Sequence, residues 1–371
     1  MNLSFDAKRI FHNNRGLGNY SRDVIRLLTT FYPENNFYLF NPEKAKNTLF
    51  TLPPNTKEIT PPNLYKVFPN LWRKVGCLSQ IKKLNTDIYH GLSQELPGGI
   101  HKTNIKTVVT LHDAIFIRFP ELYDSFYRKI FIKKNEYSCK VSDKIIAISE
   151  QTKQDFIEFF NVEPEKIQVV YQGCNNIFRE EISDETLNSV REKYALPSQF
   201  LLNVGAIEKR KNLETVIRAL SAGKIEIPLV VIGNKGKYYF EIKSIIEKLN
   251  LQNQVIFLHG VPTADLPAIY KMAQLFIYPS RFEGFGIPIL EALCTGTPVL
   301  TSYGSCFEET GGDAAMYVNY HNEEEMAVAM NKILSSPNLQ EEMREKGLIH
   351  AEKFTDDKIA ANLMSVYTNL R

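Results

Sequence analysis

No stretch of this sequence approaches the roughly 18 consecutive apolar residues that a bilayer-spanning helix requires. The opening MNLSFDAKRI lacks the charged-then-apolar pattern of a secretory leader and enters a strand almost at once. Cysteine is scarce. Cys77, Cys139, Cys174, Cys294 and Cys306 are odd in number, scattered, and never in C-x-x-C spacing. That argues against a disulfide framework and a zinc site, and leads us to expect a reducing, cytoplasmic setting. The chain has one Trp, no internal repeat, no low-complexity tract and no D-x-D triplet for a divalent metal.

What is present describes an ordinary globular protein, with 44% hydrophobic and 23% charged residues. A length of 371 residues is too great for one core and implies two domains. The net charge of +2 conceals an asymmetry: residues 1–175 hold 24 Lys+Arg against 17 Asp+Glu, and residues 176–371 hold 20 against 25. A basic first half points to an anionic partner there.

Taken in order, the chain reads as alternating strands and helices, an α/β pattern. LSFDAK (3–8) predicts a first strand. A loop with Gly16 and Gly18 follows, on a strand-to-helix turn where backbone can come close to a phosphate. NFYLFN (36–41) predicts a second strand, followed by an irregular region up to Asn63. The segment from Asn63 to Asn85 spaces Leu71, Trp72, Val75, Leu78 and Ile81 near a helical period, among Arg73, Lys74, Lys82 and Lys83. Such a helix either packs into the core or lies on an anionic membrane surface. TVVTL (107–111) is a buried parallel-type strand, which puts His112 and Asp113 at its C-terminal end, where open α/β sheets place ligand sites. SFYRKIFIKKNEYSCK (125–140) is a second basic and aromatic helix, able to face a membrane or a phosphorylated acceptor. Ser149 heads another helix, as an N-cap or as a contact to an acceptor.

A polar connector from Cys174 to Pro197 leads to a second series beginning at FLLNVG (200–205). Arg210 and Lys211 follow at a strand-to-helix turn, with Asn212 as a candidate N-cap; two cations and free N–H groups there could meet a pyrophosphate. The stretch YPSRFEGFGIPILEALCTG (278–296) combines a strand end, a glycine loop and a short helix that Gly296 should stop. Its two acids, Glu283 in the loop and Glu291 in the helix, are suited to accept hydrogen bonds from sugar and ribose hydroxyls. The helix N-terminus between them is a seat for phosphate.

The E-G-F-G-x-P-x-x-E stretch, with TPVLTS and GGDAA after it, resembles the paired-glutamate motif of the retaining GT-B glycosyltransferases of family four, and especially bacterial polysaccharide mannosyltransferases. G-A-I-E-K-R-K-N, T-L-H-D and the G-L-G-N-Y loop extend the resemblance over nearly the whole chain, with Asn19 where Arg is frequent. It implies an α/β GT-B fold of two facing Rossmann-like domains with a cleft between them. An acceptor domain (1–175) and a nucleotide-sugar domain (176–354) are expected, with a terminal helix (355–371) returning to the first.

The resemblance also implies roles. Glu283, Gly284, Phe285, Gly286 and Glu291 would hold the donor, with Arg210 and Lys211 on its diphosphate and Gly16 and Gly18 nearby. His112 and Glu283 would act at the transferred sugar, Glu283 positioning it rather than attacking it. Asn19, Tyr20, Asp113 and Ser149 would meet the acceptor. The implied reaction is retaining transfer of a hexose, mannose from GDP-mannose in the first instance, to a surface glycan that is lipid-linked. Neither a cofactor nor a metal nor a nucleic-acid partner is expected. The setting would be the cytoplasm, at the inner face of the membrane, with peripheral contact to anionic lipid. A UDP-sugar donor and a non-catalytic nucleotide-sugar binder are the alternatives.

Overall fold

The strands pair here only in parallel, and those richest in Val, Ile and Leu, such as LVVI at 229–232 and most of KTVVTL at 106–111, are buried. The computed structural model describes residues 1–44 and 50–370, and in these residues thirteen strands form two sheets. The first comprises β1 (Asn2–Asp6), β2 (Asn36–Phe40), β3 (Thr56–Ile59), β4 (Ile88–Gly91), β5 (Lys106–Leu111), β6 (Lys144–Ala147) and β7 (Ile167–Val169), in the order β3-β2-β1-β4-β5-β6-β7. The second comprises β8 (Leu201–Val204), β9 (Leu229–Ile232), β10 (Val255–Leu258), β11 (Leu275–Tyr278), β12 (Val299–Ser302) and β13 (Ala315–Val318), in the order β10-β9-β8-β11-β12-β13. Both are covered by helices on two faces, which explains apolar runs such as TVVTL and LVVI.

The winding of each sheet reverses once, between β1 and β4 and between β8 and β11. Loops leaving the C-terminal ends of those strands diverge, and that is where open α/β sheets bind ligands.

The chain divides into two compact units, residues 1–172 with 356–371, and residues 173–355. Within the first, helix Asp356–Thr368 packs on helix Gly16–Phe31. Arg26 clamps Asp356 through two hydrogen bonds, of 2.6 and 2.9 Å. Arg371, at the end of the expected terminal helix, and residues 45–49 of the expected irregular region lie outside the described residues.

Three local expectations are corrected. The first strand stops at Asp6, and a short helix, Lys8–His12, intervenes before Gly16. Gly16 and Gly18 therefore lie in the first turn of helix Gly16–Phe31 rather than on a direct strand-to-helix turn. The single helix expected over 63–85 is broken into short pieces: a 3₁₀ turn, an α turn led by Pro69, a π turn at Trp72–Gly76 and helix Leu78–Lys83. Trp72 is fully buried, stacked on Phe40, and its indole N–H donates to Gln80 at 2.7 Å. It is a core residue and not a membrane anchor.

Candidate functional site

In the second unit, the turn after β8 and the loop after β11 bring the sequence-separated charges together. Residues Lys209–Lys211 form a 3₁₀ turn that ends on Asn212 in the left-handed region, at φ 57°. The expectation that Asn212 caps the next helix through its side chain is corrected, because that amide donates instead to the carbonyls of Pro279 and Tyr320. It thereby ties the basic turn to the end of β11. Arg210 is fixed in turn by its bond to the Phe282 carbonyl, 2.6 Å, and by Glu208 at 2.7 Å.

Glu283 Oε1 lies 2.6 Å from Arg210 Nη1 and 2.6 Å from Lys211 Nζ, and its side chain is 12% exposed. Burial alone would raise its pKa. The Lys211 and Arg210 charges override that and hold it at about 2. Lys211 also reaches the Tyr278 hydroxyl at 2.5 Å and lies over its ring. Ser305 closes the loop from the other side: its Oγ accepts from the Glu283 N–H and donates to the Glu283 carbonyl.

Gly286 caps helix Ile287–Cys294 at φ 101°, a conformation that a side chain would strain. Gly284 sits just ahead of it. Phe285 between them is 3% exposed and packs edge-on against Phe354, so its ring is core and only its backbone faces the loop. Glu291 projects from the second turn of this helix toward Tyr270, whose hydroxyl donates to it at 3.0 Å. Burial pushes its carboxyl up to about 7.

In the first unit, His112 leaves β5 buried, and its ring Nε2 donates to the Leu92 carbonyl at 2.9 Å. Burial lowers its pKa to about 4, so the ring is neutral at physiological pH. Tyr20 stands edge-on to it at 4.7 Å and shares a hydrogen bond with Thr110. His90 bonds the same Thr110 and, through Nδ1, the hydroxyl of Tyr367. The sequence reading missed His90, Thr110 and Tyr367, and no local pattern marks them.

The residues expected to meet an acceptor separate into two sets. Asp113 accompanies His112 at the strand end, and Asn19 is exposed, accepting from Arg22 at 2.6 Å. Tyr20 and Ser149 are buried, which corrects the expectation that they meet an acceptor. Tyr20 supports His112. Ser149 is an N-cap whose hydroxyl accepts from the Thr152 N–H and bonds the Thr152 hydroxyl. Gly18 is required by packing, since a Cβ there would stand 1.8 Å from the Asn13 carbonyl, whereas one at Gly16 would meet nothing.

A cavity of about 170 Å³ opens beside His112, lined among others by Arg9, Gln94, Asp113, Phe116 and Asn135. A larger hollow of about 770 Å³, between His101, Lys106 and Lys140, lies at the N-terminal end of β5, opposite the strand ends that carry these groups.

Comparison with known proteins accounts for both units. The family profile described as Glycosyltransferase Family 4 matches residues 21–176, and that described as Glycosyl transferases group 1 matches residues 187–349. O-antigen chain mannosyltransferase B of Escherichia coli is 27% identical over 76% of this chain and 74% of its own length. An Escherichia coli serotype-specific mannosyltransferase, WbdA, is 30% identical over 76% of this chain, which spans only 36% of that longer protein. A Campylobacter jejuni enzyme named as an N-acetylgalactosaminyltransferase acting on a diphospho-undecaprenol-linked saccharide is 27% identical over 84% of this chain and 82% of its length. Among solved structures, sucrose-phosphate synthase of Thermosynechococcus elongatus superposes with a TM-score of 0.81 at 18% identity, covering 100% of this chain and 99% of that one. Anabaena HepE in complex with UDP-glucose gives 0.78 at 18% identity, covering 99% of both chains. With the two profiles together matching most of the chain and these structures superposing over nearly all of it, the chain belongs to the group 1, family 4 glycosyltransferases of GT-B fold.

Proposed function

We propose that this glycosyltransferase moves a hexose from a nucleotide sugar to a hydroxyl of a growing surface glycan, with retention and without a metal, and that GDP-mannose is its donor. The observation that carries the reading is the cluster of Arg210, Lys211 and Glu283 at the strand ends before helix Ile287–Cys294. Two cations and a helix N-terminus suit a departing diphosphate, so developing charge can be met by protein groups alone. Glu291 would accept from the ribose hydroxyls. Glu283, with the Gly284 and Gly286 backbone, would hold the sugar hydroxyls, and His112 would contact the sugar being transferred. Gly16 and Gly18, at the head of their helix, would lie near the diphosphate.

A carboxylate held at about 2 by two cations is a weak nucleophile, which favours positioning over covalent attack for Glu283. In the step we favour, the bond from the anomeric carbon to the diphosphate oxygen breaks. The acceptor oxygen forms its bond on the same face and passes its proton to the leaving diphosphate.

The mannosyltransferase relatives support mannose as the sugar. The Campylobacter relative supports a lipid-diphosphate-linked acceptor, and its N-acetylgalactosamine chemistry favours a UDP-sugar as the second reading. Retention of Glu283, Arg210 and Lys211 argues against a non-catalytic binder. No helix among the described residues is long and apolar enough to cross a membrane. Contact with lipid would be peripheral, through exposed Val67, Phe68 and Leu71 beside Lys66 and Lys74.

Thermal-shift binding of GDP, UDP, ADP and dTDP, followed by turnover of the matching sugars, tests the reading. A shift selective for GDP with release of GDP from GDP-mannose is expected. A UDP-selective shift would replace the donor, and no shift with any nucleotide would overturn the donor site.

A further inference from the structure

Glu283 is held by two kinds of contact, one charged and one not. The charged contact pairs its carboxylate with Arg210 and Lys211, each at 2.6 Å. The uncharged contact lies on its backbone. Ser305 Oγ accepts from the Glu283 N–H at 3.1 Å and donates to the Glu283 carbonyl at 3.0 Å. One hydroxyl thus bridges the peptide groups on both sides of the Glu283 Cα, which fixes the φ and ψ of that residue. The Cys306 thiol adds a second donor to the same carbonyl at 3.3 Å, and Thr310 donates to the carbonyl of Phe285. Cys306 and Thr310 are fully buried.

The turn that supplies the hydroxyl is held in a costly shape. After β12, Gly304 at φ 78° and Ser305 at φ 55° are consecutive left-handed residues. Glycine takes that conformation freely and serine does not. The turn is pinned at its start, where the Tyr303 N–H donates to the Val318 carbonyl at 3.0 Å. Strain of this kind persists at sites where the side chain makes bonds that glycine cannot.

The two contacts respond differently to a ligand. A diphosphate at the proposed donor site draws on Arg210 and Lys211, the same cations that hold the Glu283 carboxylate. Ser305 carries no charge, and its hydroxyl is committed to the loop backbone as donor and as acceptor, so an anion does not displace it. With the donor bound, the placement of Glu283 therefore falls to the uncharged contact.

We propose that Ser305 is a positioning residue for sugar transfer, whose hydroxyl fixes the backbone of Glu283 and so aims its carboxylate at the sugar once the diphosphate has engaged Arg210 and Lys211. The assignment rests on the donor-site reading and adds to it the group that keeps Glu283 in place in the loaded enzyme.

The test compares the full-length wild type with Ser305→Gly and Ser305→Ala. Both variants lack the hydroxyl; Gly relieves the backbone strain and Ala keeps it. Release of nucleotide from GDP-mannose and UDP-glucose is followed, with calorimetric binding of GDP and UDP and the melting temperature of each protein. Turnover should fall about tenfold in both variants, on the scale of one or two net hydrogen bonds, while GDP or UDP binds no more weakly than to the wild type. The melting temperature should separate the two, Ser305→Gly staying within about 3 °C of the wild type and Ser305→Ala falling below it. Turnover that follows melting temperature across the three proteins would mean a merely structural role and overturn the assignment. A wild type that binds and releases nucleotide, with both variants as fast, sinks this assignment alone. A wild type that binds neither GDP nor UDP sinks the donor-site reading on which it rests.

Discussion

Glu283 stays ionised at low pH because Arg210 and Lys211 sit against it, and the same contact keeps both cations occupied until a ligand arrives. On the proposed donor site a diphosphate would compete for them. Glu283→Gln should therefore cut transfer about 100-fold or more while tightening nucleoside diphosphate binding, by about tenfold, equal to about 1.4 kcal/mol. Turnover and calorimetry on one preparation check both halves, and weaker nucleotide binding would contradict the competition. The folded-state pKa of Glu283 is depressed, so its contribution to stability is complete above the ordinary carboxylate range and is lost as pH falls toward about 2. Glu291 runs the other way. Burial pushes its carboxyl up to about 7, and on the proposed reading ribose hydroxyls would need it ionised, so nucleotide affinity should fall as pH drops below about 7. The 2′,3′-dideoxy nucleotide, with the same diphosphate, should lack that dependence; equal pH profiles would remove Glu291 from the ribose. Glu283 and Glu291 were legible in sequence because strand, loop and helix are consecutive in 278–296, whereas Arg210 and Lys211 lie about 70 residues earlier and were picked out by the G-A-I-E-K-R-K-N resemblance. The His90–Thr110–Tyr20 network was not, since its partners lie 20 and 90 residues apart and each reads alone as an ordinary core polar group.

At the scale of elements, the two glycines of the G-L-G-N-Y loop make unequal demands. Gly18→Ala should destabilise the first unit by about 1–3 kcal/mol, because its Cβ would collide with the Asn13 carbonyl. Gly16→Ala should leave stability unchanged within about 1 kcal/mol, and urea unfolding of the two variants would show the contrast. The parallel strands were legible from their β-branched, unalternating runs. Their order was not, because no sequence period distinguishes a strand that pairs inward from one that pairs outward. The segment after Asn63 misled for a different reason: helical spacing was present, but Pro69 and the π turn at Trp72–Gly76 break the run. What results is a turned Trp72 inside and Val67, Phe68 and Leu71 outside. Phe68→Ser with Leu71→Ser should reduce co-flotation with anionic phosphatidylglycerol vesicles at least several-fold, since each lost side chain removes roughly 1.5–3 kcal/mol of burial. Unchanged flotation would place any membrane contact elsewhere.

Over the whole molecule, helix Asp356–Thr368 belongs to the unit that the chain began with. Its buried face, including Ile359, Leu363 and Tyr367, covers helix Gly16–Phe31 and the His90 network. Ending the chain at Thr355 should lower the melting temperature of the first unit by several degrees, while the transition of the second, which the proposed nucleotide site would stabilise with GDP or UDP, should stay in place. Scanning calorimetry with and without nucleotide separates the two transitions, and equal losses in both would refute the assignment.

The same arrangement sets the order in which the protein is made. The first unit is begun first and finished last. Between Gln172 and Asp356 the ribosome must add the 183 residues of the second unit, Gly173–Thr355, which at about 5–20 residues per second takes about 10–40 seconds. For that interval helix Gly16–Phe31 waits with an apolar side uncovered and His90 lacks its bond to Tyr367. The nascent chain is therefore most exposed to aggregation and to chaperone capture while its second unit is emerging, and the emergence of helix Asp356–Thr368, rather than the synthesis of any strand, is the event that completes the first unit.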